Sequence, residues 1–597
     1  MYAQATIKRN TIPRNGAHRI VSREVQKCAR GCSSLGSRKK FPLYCIKLDT
    51  AIDPCMGSGH ILVYAFDVLM EIYRESGYSE RDAAVSIIQN NLFGLDIDAF
   101  AAQLAYFAVM MRAREYDRRF FGRGITPHVM AIAESDDIED AKQTEVPRHD
   151  AENEISRYLW KIFQNAKEFG SLLIVEKKDY DGYLHFLETF ETEGQMNFES
   201  STWEKLRPLL KQFAEQAKIL SEKYQIVCTN PPYLNKFEGS FKTFLTKNYK
   251  DYSGDLFSAF IYRNLLFCKE GGYSGYMTPF VWMFIKTYEK LRAYIIQNKS
   301  ITTLVQMEYS AFEEATVPIC SFVLKNGRSE EKGLYFKLSD FKGGMEIQKK
   351  KILEAIADKN CSYFYETAAK NFSKIPGSPI SAYYATKKIL EAFENSSSLF
   401  KIAPVKRGMC TCANELFYKN WFEIEIKEFQ TGKDRESANG WIPLNKGGEY
   451  RKWYGNLSEV VDWHDHGKRI RKFPTAQIKN EDFYFLPSIT WSSITSGEFS
   501  VRCTEKGFIF DQASNGIFPL EYRYYIAGLL NSKIVKSILD IINPSLNKLV
   551  GDLSEIPVIY NDVEHSEKLV KSCIQVSKMD WDIDEISWNF KKHPLAE

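Results

Sequence analysis

The stretch Asn230-Pro231-Pro232-Tyr233 combines residue types that could act on a bound ligand. It follows the β-branched and apolar residues 226–229, which predict a strand. The two prolines lack the N–H groups that sheet hydrogen bonding needs, and they fix the direction of the backbone. The amide of Asn230 and the ring of Tyr233 are therefore held at the carboxyl end of that strand. In open parallel α/β sheets, ligands bind at this edge. The alternative is an ordinary strand followed by a Pro-Pro loop with a buried tyrosine.

A second candidate site is the glycine-rich stretch DPCMGSGH, residues 53–60. It stands between a predicted strand, residues 44–52, and a predicted helix, residues 61–78, which Gly77 would stop. Gly57 and Gly59 permit tight backbone geometry and let a ligand approach the main chain beside the positive end of a helix. The stretch has neither the GK[ST] nor the GxGxxG pattern of phosphate and dinucleotide loops.

A third candidate is the acid at the end of the next predicted strand, LFGLDID, which follows a helix that begins with the capping box Ser79–Asp82. The tip of the second strand is where an acid would hold a nucleoside ribose through its hydroxyls. We select Asp96 over Asp98, with a purely structural helix N-cap as the alternative. The long apolar helix that follows is predicted to be buried.

Composition limits the possible functions. With 597 residues the chain is long enough for roughly three or four domains. The net charge of +3 does not by itself indicate nucleic acid, so any DNA-binding face must come from local clustering. Twelve cysteines without a CxxC pair indicate neither a zinc site nor a disulfide framework and favour a reducing, cytoplasmic compartment. Since no apolar stretch reaches membrane-spanning length, we expect no membrane partner.

Together the motifs resemble class I S-adenosylmethionine-dependent methyltransferases, and within them the amino-group DNA methyltransferases. The resemblance implies S-adenosylmethionine as the cofactor and an α/β fold with a Rossmann-like core. HVMAIAESDDI, residues 128–138, resembles the third strand with its acidic tip, where Glu134 and Ser135 compete with the preferred Asp136. The implied cofactor-binding residues are Asp53, Pro54, Gly57, Ser58, Gly59, Asp96 and Asp136.

The resemblance makes Asn230, Pro231, Pro232 and Tyr233 the catalytic residues. Oxygen acceptors on Asn230 and Pro231 would hydrogen-bond the two N–H groups of an exocyclic amine and favour its nucleophilic form. Tyr233 would stack on a base that has left the duplex. The implied reaction is direct methyl transfer to adenine N6, with Cys228 as a strand residue and no nucleophile. Enzymes that methylate protein glutamine or RNA guanine also carry NPPY, but they are generally small.

A closer resemblance is to the PglX-type adenine-specific methyltransferases of bacteriophage exclusion (BREX) systems. It rests on motifs found from about Asp53 to the end of the chain: DPCMGSGHILVYAFDVL, NLFGLDIDAFAAQLA, NPPYLNKF, TPFVWMF, NKGGEYRKWYGN and ITWSSI. It implies that the protein marks host DNA as part of a restriction-modification-like phage defence. The implied partners are double-stranded DNA, with a flipped adenine, and other BREX proteins.

The expected organisation has four parts. A basic leader, residues 1–44, precedes a methyltransferase domain, residues 45–330, with a helical insertion at about 139–223 that we expect to be a peripheral subdomain. A connecting helical region, residues 331–394, leads to a mixed α/β target-recognition domain, residues 395–597. The segments 445–456, 462–473 and 488–502 interleave basic residues with aromatics, which suits phosphate and base-edge contacts, although the tryptophans could equally be core. Phe280 and Trp282 could line a base pocket, with core packing as the alternative.

One departure from the family pattern stands out. Such enzymes normally carry a large helical region before the cofactor motif, whereas about fifty residues precede Asp53 here. The leader is acid-poor, as in transit peptides and nucleic-acid-binding arms, but we interpret it as an aberrant start on a truncated gene. The alternative function is therefore a catalytically impaired remnant that only binds DNA or defence partners.

Overall fold

The computed structural model describes residues 49–135, 150–190, 198–309, 317–494, 498–593 and 595. The leader 1–44 and the cofactor candidate Asp136 lie outside the described residues. Contacts divide the chain into two compact units, the first ending at Ala369 and the second beginning at Lys370.

The first unit is built on a nine-stranded sheet. Its strands are β1 (Ala51–Asp53), β2 (Leu92–Asp96), β3 (His128–Ala131), β4 (Tyr224–Thr229), β5 (Cys268–Pro279), β6 (Ser300–Gln306), β7 (Ile319–Lys325), β8 (Gly333–Lys337) and β9 (Phe364–Thr367). They lie in the order β3-β2-β1-β4-β5-β7-β6-β8-β9. The five strands from β3 to β5 are parallel, and β7 is antiparallel to both neighbours.

The strand order places the candidate residues together. The chain runs from β1 outward to β3 on one side and then returns to β4 on the other side of β1, so the order reverses between β1 and β4. In doubly wound sheets, this reversal opens a crevice at the carboxyl ends of the strands. The stretches after β1, β2 and β4 begin at that edge, and the predicted Rossmann-like core is confirmed.

Helices of the first unit connect these strands. They are α1 (His60–Glu75), α2 (Glu80–Ser86), α3 (Ala99–Tyr116), α4 (Asp150–Ile162), α5 (Ala166–Phe169), α6 (Tyr180–Thr189), α7 (Phe198–Ser221), α8 (Gly239–Asn248), α9 (Leu256–Phe267), α10 (Glu289–Asn298) and α11 (Gly344–Ala357). The local signals before and after α1 and α2 are where the sequence predicted them. Gly77 has a positive φ of 86° and follows α1, and the Ser79 hydroxyl accepts the Asp82 N–H at 3.2 Å.

The inserted helices α4 to α7 are not peripheral, which corrects the expectation for residues 139–223. Their apolar side chains Leu159, Phe163 and Phe213 belong to one buried cluster with Ile52 of β1 and Val227 of β4. They therefore cover one face of the central strands. The sequence shows that these helices have an apolar side, but it does not show which surface that side covers.

Helix α3 also differs from its prediction as a buried helix. Ala102, Ala105 and Val109 are buried on one side, but Phe100 is 82% exposed and Leu104 and Phe107 are more than half exposed. The composition is apolar all round, so the pattern alone could not show which side contacts the sheet. Within the part of the chain that is described, no helix is long and apolar enough to cross a membrane.

The second unit is a mixed α/β structure with small sheets. Its strands are β10 (Ser397–Ser398), β11 (Val405–Lys406), β12 (Tyr418–Asn420), β13 (Trp441–Asn445), β14 (Glu459–Asp462), β15 (Ser488–Trp491), β16 (Val501–Thr504), β17 (Ile509–Phe510), β18 (Gly516–Ile517) and β19 (Pro557–Val558). Its helices are α12 (Lys387–Asn395), α13 (Leu399–Ile402), α14 (Asn414–Phe417), α15 (Lys468–Lys472), α16 (Arg523–Leu530), α17 (Lys533–Ile542), α18 (Val550–Ser554) and α19 (Val563–Asp582).

The boundary between the units differs from the expected one. The region 331–394 contains the helix α11, but it also contains β8 and β9, which extend the large sheet. The second unit begins at Lys370, earlier than the expected residue 395. Short apolar runs such as those of β8 and β9 do not show from sequence alone whether they join a sheet.

Candidate functional site

The cofactor candidates of the first motif form a tight loop between β1 and α1. Gly57 and Gly59 both have positive φ, 50° and 83°, which side chains other than glycine adopt at a cost. Nothing lies within 4 Å of the position that a Cβ on Gly57 would take, so the loop faces open space there. Pro54 is buried beneath the loop, and Ser58 is partly exposed on it.

Asp53 is buried at the start of this loop, with 1% of its surface exposed. Its Oδ1 accepts the Cys55 N–H at 3.1 Å, while Oδ2 makes no hydrogen bond to any described residue. Burial raises the pKa of this carboxyl to about 7, the nearby Thr229 side chain and the Cys55 N–H act in the opposite direction, and the negative charge of Asp96 adds to the effect of burial. A buried carboxylate oxygen without a donor suits a cationic or hydrogen-bonding ligand group.

Asp96 lies at the tip of β2 and links the glycine loop to the turn that follows β2. Its Oδ2 accepts the Gly57 N–H at 2.8 Å, and its Oδ1 accepts the Asp98 N–H at 2.9 Å. The helix cap is a different residue, because Asp98 accepts the N–H groups of Phe100 and Ala101 at the start of α3. The N-cap alternative therefore applies to Asp98, and Asp96 keeps a partly exposed carboxylate beside the glycine turn.

The tip of β3 is tied to the inserted helices. The Gln216 side chain of α7 donates to the Ala131 carbonyl at 2.8 Å and accepts the Ala133 N–H at 3.0 Å. Ser135 donates its hydroxyl to the Trp160 carbonyl at 2.8 Å. These contacts fix the backbone that leads to Asp136.

The NPPY residues follow β4 at the same edge of the sheet. Asn230, Pro232 and Tyr233 are exposed, and Pro231 is buried. The Tyr233 hydroxyl donates to Asn230 Oδ1 at 2.9 Å and to the Met277 carbonyl of β5 at 3.2 Å. Burial raises the pKa of this hydroxyl above its ordinary value, so the hydroxyl stays protonated as a donor. Tyr233 is therefore not the buried tyrosine of the structural alternative, since its side chain is 39% exposed.

Two neighbours of this motif have structural roles. Cys228 lies on β4, and burial raises the pKa of its thiol to about 12, so the thiol is a poor nucleophile. Trp282 is fully buried, with its ring 4.7 Å from the ring of Phe322. The core interpretation of Trp282 is confirmed, and Phe280 is buried as well.

Sequence reasoning missed Asp255, which holds the chain that follows NPPY. Asp255 caps α9, and its Oδ1 also accepts the Leu234 N–H at 3.0 Å. The Leu256 N–H donates back to the Leu234 carbonyl at 2.8 Å. An aspartate three residues before Ser258, at the start of an apolar helical stretch, was the available signal of a capping box.

The second unit has a cleft of about 670 Å³ where two of the basic and aromatic segments meet. Lys446 and Ser493, from the segments 445–456 and 488–502, line it together with Arg407 and Gln512. The exposed Arg407 donates to Gln512 Oε1 at 2.5 Å, and Lys446 forms an ion pair with Glu459 at 2.7 Å. Trp463 of the segment 462–473 and Trp491 of the segment 488–502 are buried, so for them the core alternative is correct.

The residues after β1 and β2 fit S-adenosylmethionine. The orphaned buried oxygen of Asp53 suits the ammonium of a methionine moiety, the partly exposed Asp96 carboxylate suits ribose hydroxyls, and Gly57 leaves room at the main chain. No cluster of three or more His, Cys, Asp or Glu suited to a metal ion occurs among the described residues.

Comparisons with known proteins show what parts of this chain resemble. Residues 90–312 match the model of the Eco57I restriction-modification methylase family, and this segment includes β2, Asp96 and the whole NPPY loop. Residues 90–312 of the chain therefore resemble an Eco57I-type methylase domain. One solved structure that resembles this chain is the Type IIL restriction-modification enzyme MmeI in complex with DNA. The alignment covers 96% of this chain and 70% of the MmeI chain, with a TM-score of 0.49 and 11% sequence identity.

Two curated proteins are similar to nearly the whole length of this chain. Over 92% of its length the chain is 36% identical to the adenine-specific methyltransferase PglX of Lacticaseibacillus casei strain Zhang. It is 34% identical, again over 92% of its length, to the adenine-specific methyltransferase BrxX of Escherichia coli O9:H4 strain HS. The chain is a homologue of these two enzymes and covers 47% of the length of each.

Proposed function

We propose that this chain transfers a methyl group from S-adenosylmethionine to N6 of adenine in double-stranded DNA, at a specific site. One arrangement carries the proposal. The glycine loop after β1 and the NPPY loop after β4 leave neighbouring parallel strands, paired at Ile52 and Val227, at one edge of the sheet. A cofactor held by the first loop and a base held by the second would meet there.

Asp53, Asp96 and the main chain around Gly57 would hold the cofactor, with Pro54, Ser58 and Gly59 shaping the loop. Bound there, S-adenosylmethionine supplies an electrophilic methyl group on its sulfonium. Ionised Asp53 would face the cofactor ammonium, and ionisation of a group with a pKa of about 7 becomes complete above neutral pH. Asp136, as the third-strand acid, would complete the set.

Asn230 and Pro231 would accept hydrogen bonds from the exocyclic amine of adenine, and this shifts the amine toward its nucleophilic form. Pro232 fixes the direction in which the loop leaves the strand. The exposed ring of Tyr233 would stack on the flipped base, while its hydroxyl holds the Asn230 carboxamide in place.

The second unit would be the target-recognition domain. Its cleft places the exposed Arg407 beside the amide of Gln512, a pairing suited to phosphate and base-edge contacts. The names of the two homologues favour adenine as the target. We propose that the methyl mark protects host DNA in a BREX-type phage defence and that other BREX proteins are partners.

Calorimetric titration with S-adenosylmethionine tests the cofactor assignment. We expect the purified chain to bind the cofactor and Asp96→Ala to lose at least about tenfold in affinity, since one charge-assisted contact contributes that much. Asp98→Ala is the matched control, because it removes a carboxylate two residues away that only caps α3.

Two outcomes would count against the proposal. If a folded wild-type chain fails to bind S-adenosylmethionine, the remnant that only binds DNA or defence partners becomes the better account. If Asp96→Ala and Asp98→Ala weaken binding equally, Asp96 has no special role at the cofactor.

A further inference from the structure

A short part of the insertion touches the cofactor loop directly. We call residues 170–173, which follow α5, the bridging segment. Its Ser171 is buried and donates its hydroxyl to the Pro54 carbonyl of the glycine loop at 2.7 Å. The two residues are 117 positions apart in sequence, so this bond links the insertion to the first motif.

Arg263 of α9 holds the bridging segment from the other side. Its Nε donates to the Ser171 carbonyl at 3.1 Å, and its Nη2 donates to the Leu173 carbonyl at 2.7 Å and to the Leu220 carbonyl at 3.0 Å. Its guanidinium carbon lies 3.6 Å from the centre of the Phe267 ring. Burial lowers the pKa of Arg263 to about 10, which still leaves the side chain charged at neutral pH.

The same helix holds the catalytic loop. Asp255 caps α9 and accepts the Leu234 N–H, directly after NPPY, while Arg263 lies two turns further along the helix. Helix α9 thus binds the bridging segment through Arg263 and the NPPY loop through Asp255.

Apolar contacts run in parallel with these polar ones. Leu172 of the bridging segment lies in one buried cluster with Leu256 of α9, and Cys55 of the glycine loop and Phe237 after NPPY pack against that cluster. In addition, Phe169 stacks on Phe244 of α8 with ring centres 4.2 Å apart. The insertion therefore adds a second set of contacts between the two loops, besides the pairing of β1 with β4.

We propose that the bridging segment couples the glycine loop to the NPPY loop, with Ser171 and Arg263 as positioning residues. The meaning of the coupling rests on the proposed function, in which the two loops hold cofactor and base. It gives the insertion a role: the insertion sets the position of one loop relative to the other.

The test compares Ser171→Ala with Ser156→Ala. Ser156 is also a buried serine of the insertion, and among the described residues its hydroxyl hydrogen-bonds the Glu152 carbonyl and the Tyr183 hydroxyl, both within the inserted helices. Amide hydrogen exchange in the unliganded protein reports the positions of the two loops without any cofactor. We expect Ser171→Ala to speed exchange of the amides of residues 55–59 by about fivefold, the effect of one lost hydrogen bond, and Ser156→Ala to leave these amides unchanged.

Arg263→Lys keeps the charge but cannot reach three carbonyls. We expect it to speed exchange of the amides of residues 55–59 and of residues 233–236, because it releases α9 from the bridging segment. If Arg263→Lys does not fold, the comparison of Ser171→Ala with Ser156→Ala still tests the coupling. In both Ser171→Ala and Arg263→Lys, the dissociation constant of S-adenosylmethionine should rise severalfold more than in Ser156→Ala.

The coupling is wrong if Ser171→Ala and Ser156→Ala alter exchange of the glycine loop equally, or if neither does. Failure of the wild-type chain to bind S-adenosylmethionine overturns the proposed function instead, and the exchange comparison still decides whether the insertion positions the loop.

Discussion

The side chains of Asn230 and Tyr233 hold one another at the end of β4. The tyrosine hydroxyl donates to the asparagine oxygen and to the Met277 carbonyl, while the ring remains partly exposed. Tyr233 therefore has two separable roles, since the hydroxyl orients the carboxamide and the ring is available for stacking.

Substitution at Tyr233 separates these roles. Tyr233→Phe keeps the ring but releases Asn230, and we expect kcat for methyl transfer to fall by about tenfold, as for one hydrogen bond. Tyr233→Ala also removes the stacking surface, and a loss on the order of a hundredfold is expected because base stacking contributes about 1–3 kcal/mol. Single-turnover rates with DNA measure both effects. Equal losses in the two variants would show that the hydroxyl accounts for the entire effect.

For single residues, the sequence predicted where they lie relative to the strands, but it did not predict which side chains they contact. The β-branched run before Asn230 predicted a strand end correctly, Asp96 also stands at a strand end, and the glycines lie between β1 and α1. The bond between Tyr233 and Asn230 could not be predicted, because it depends on how two side chains three residues apart point in an irregular loop. The functional roles of the site residues remain predictions.

The close packing of α1 against α3 restricts which residue can occupy the end of the glycine loop. A Cβ on Gly59 would lie 2.8 Å from the Ala105 Cβ and 2.9 Å from its Cα, whereas a Cβ on Gly57 would meet nothing within 4 Å. Both positions have positive φ, so both substitutions carry backbone strain, but only one also forces two helices apart.

Alanine at the two glycines tests this difference. We expect Gly57→Ala to cost about 1–2 kcal/mol of folding free energy, the penalty of a left-handed alanine. Gly59→Ala should cost more, by about 1–3 kcal/mol of overpacking, and should abolish cofactor binding. Thermal unfolding and titration with S-adenosylmethionine measure the two effects. If Gly57→Ala were the less stable variant, the packing of α1 on α3 would not explain Gly59.

Prediction of elements succeeded where signals were local and failed where they depended on partners. The Ser79 cap and the Gly77 stop are set by a few neighbouring residues, and both occur where expected. The placement of the inserted helices on the sheet and the exposed side of α3 depend on residues distant in sequence. A helical pattern shows that an apolar side exists, but it does not show what that side contacts.

The whole molecule divides its chemistry between two units. The cofactor and catalytic candidates all lie in the first unit, and the cleft with Arg407 lies in the second. Because the net charge is only +3, the proposed DNA affinity would have to come from local groups such as this arginine. The change of composition near residue 395 indicated a second unit, but the strands β8 and β9 were too short to assign to the large sheet.

Removal of Arg407 should weaken DNA binding without affecting the cofactor. We expect Arg407→Ala to bind DNA about tenfold less tightly at low salt and the slope of log affinity against log salt to fall by about one unit, as for one lost phosphate contact. Lys568→Ala is the control. Lys568 is an exposed residue of α19, and it forms an ion pair with Glu564, which lies one turn earlier in the same helix. Equal effects in both variants would indicate general electrostatics and no recognition site in the cleft.

Methyl transfer to adenine N6 is tested most simply by nucleoside analysis of DNA incubated with the purified chain and S-adenosylmethionine. We expect N6-methyladenine at one recurring sequence with the wild-type chain, and a decrease of at least about a hundredfold with Asn230→Ala, as when a group that stabilises a transition state is removed. Methylated cytosine in place of N6-methyladenine, or undiminished methylation by Asn230→Ala, would contradict it. Absence of any methylation by a folded chain that binds both S-adenosylmethionine and DNA would contradict it as well.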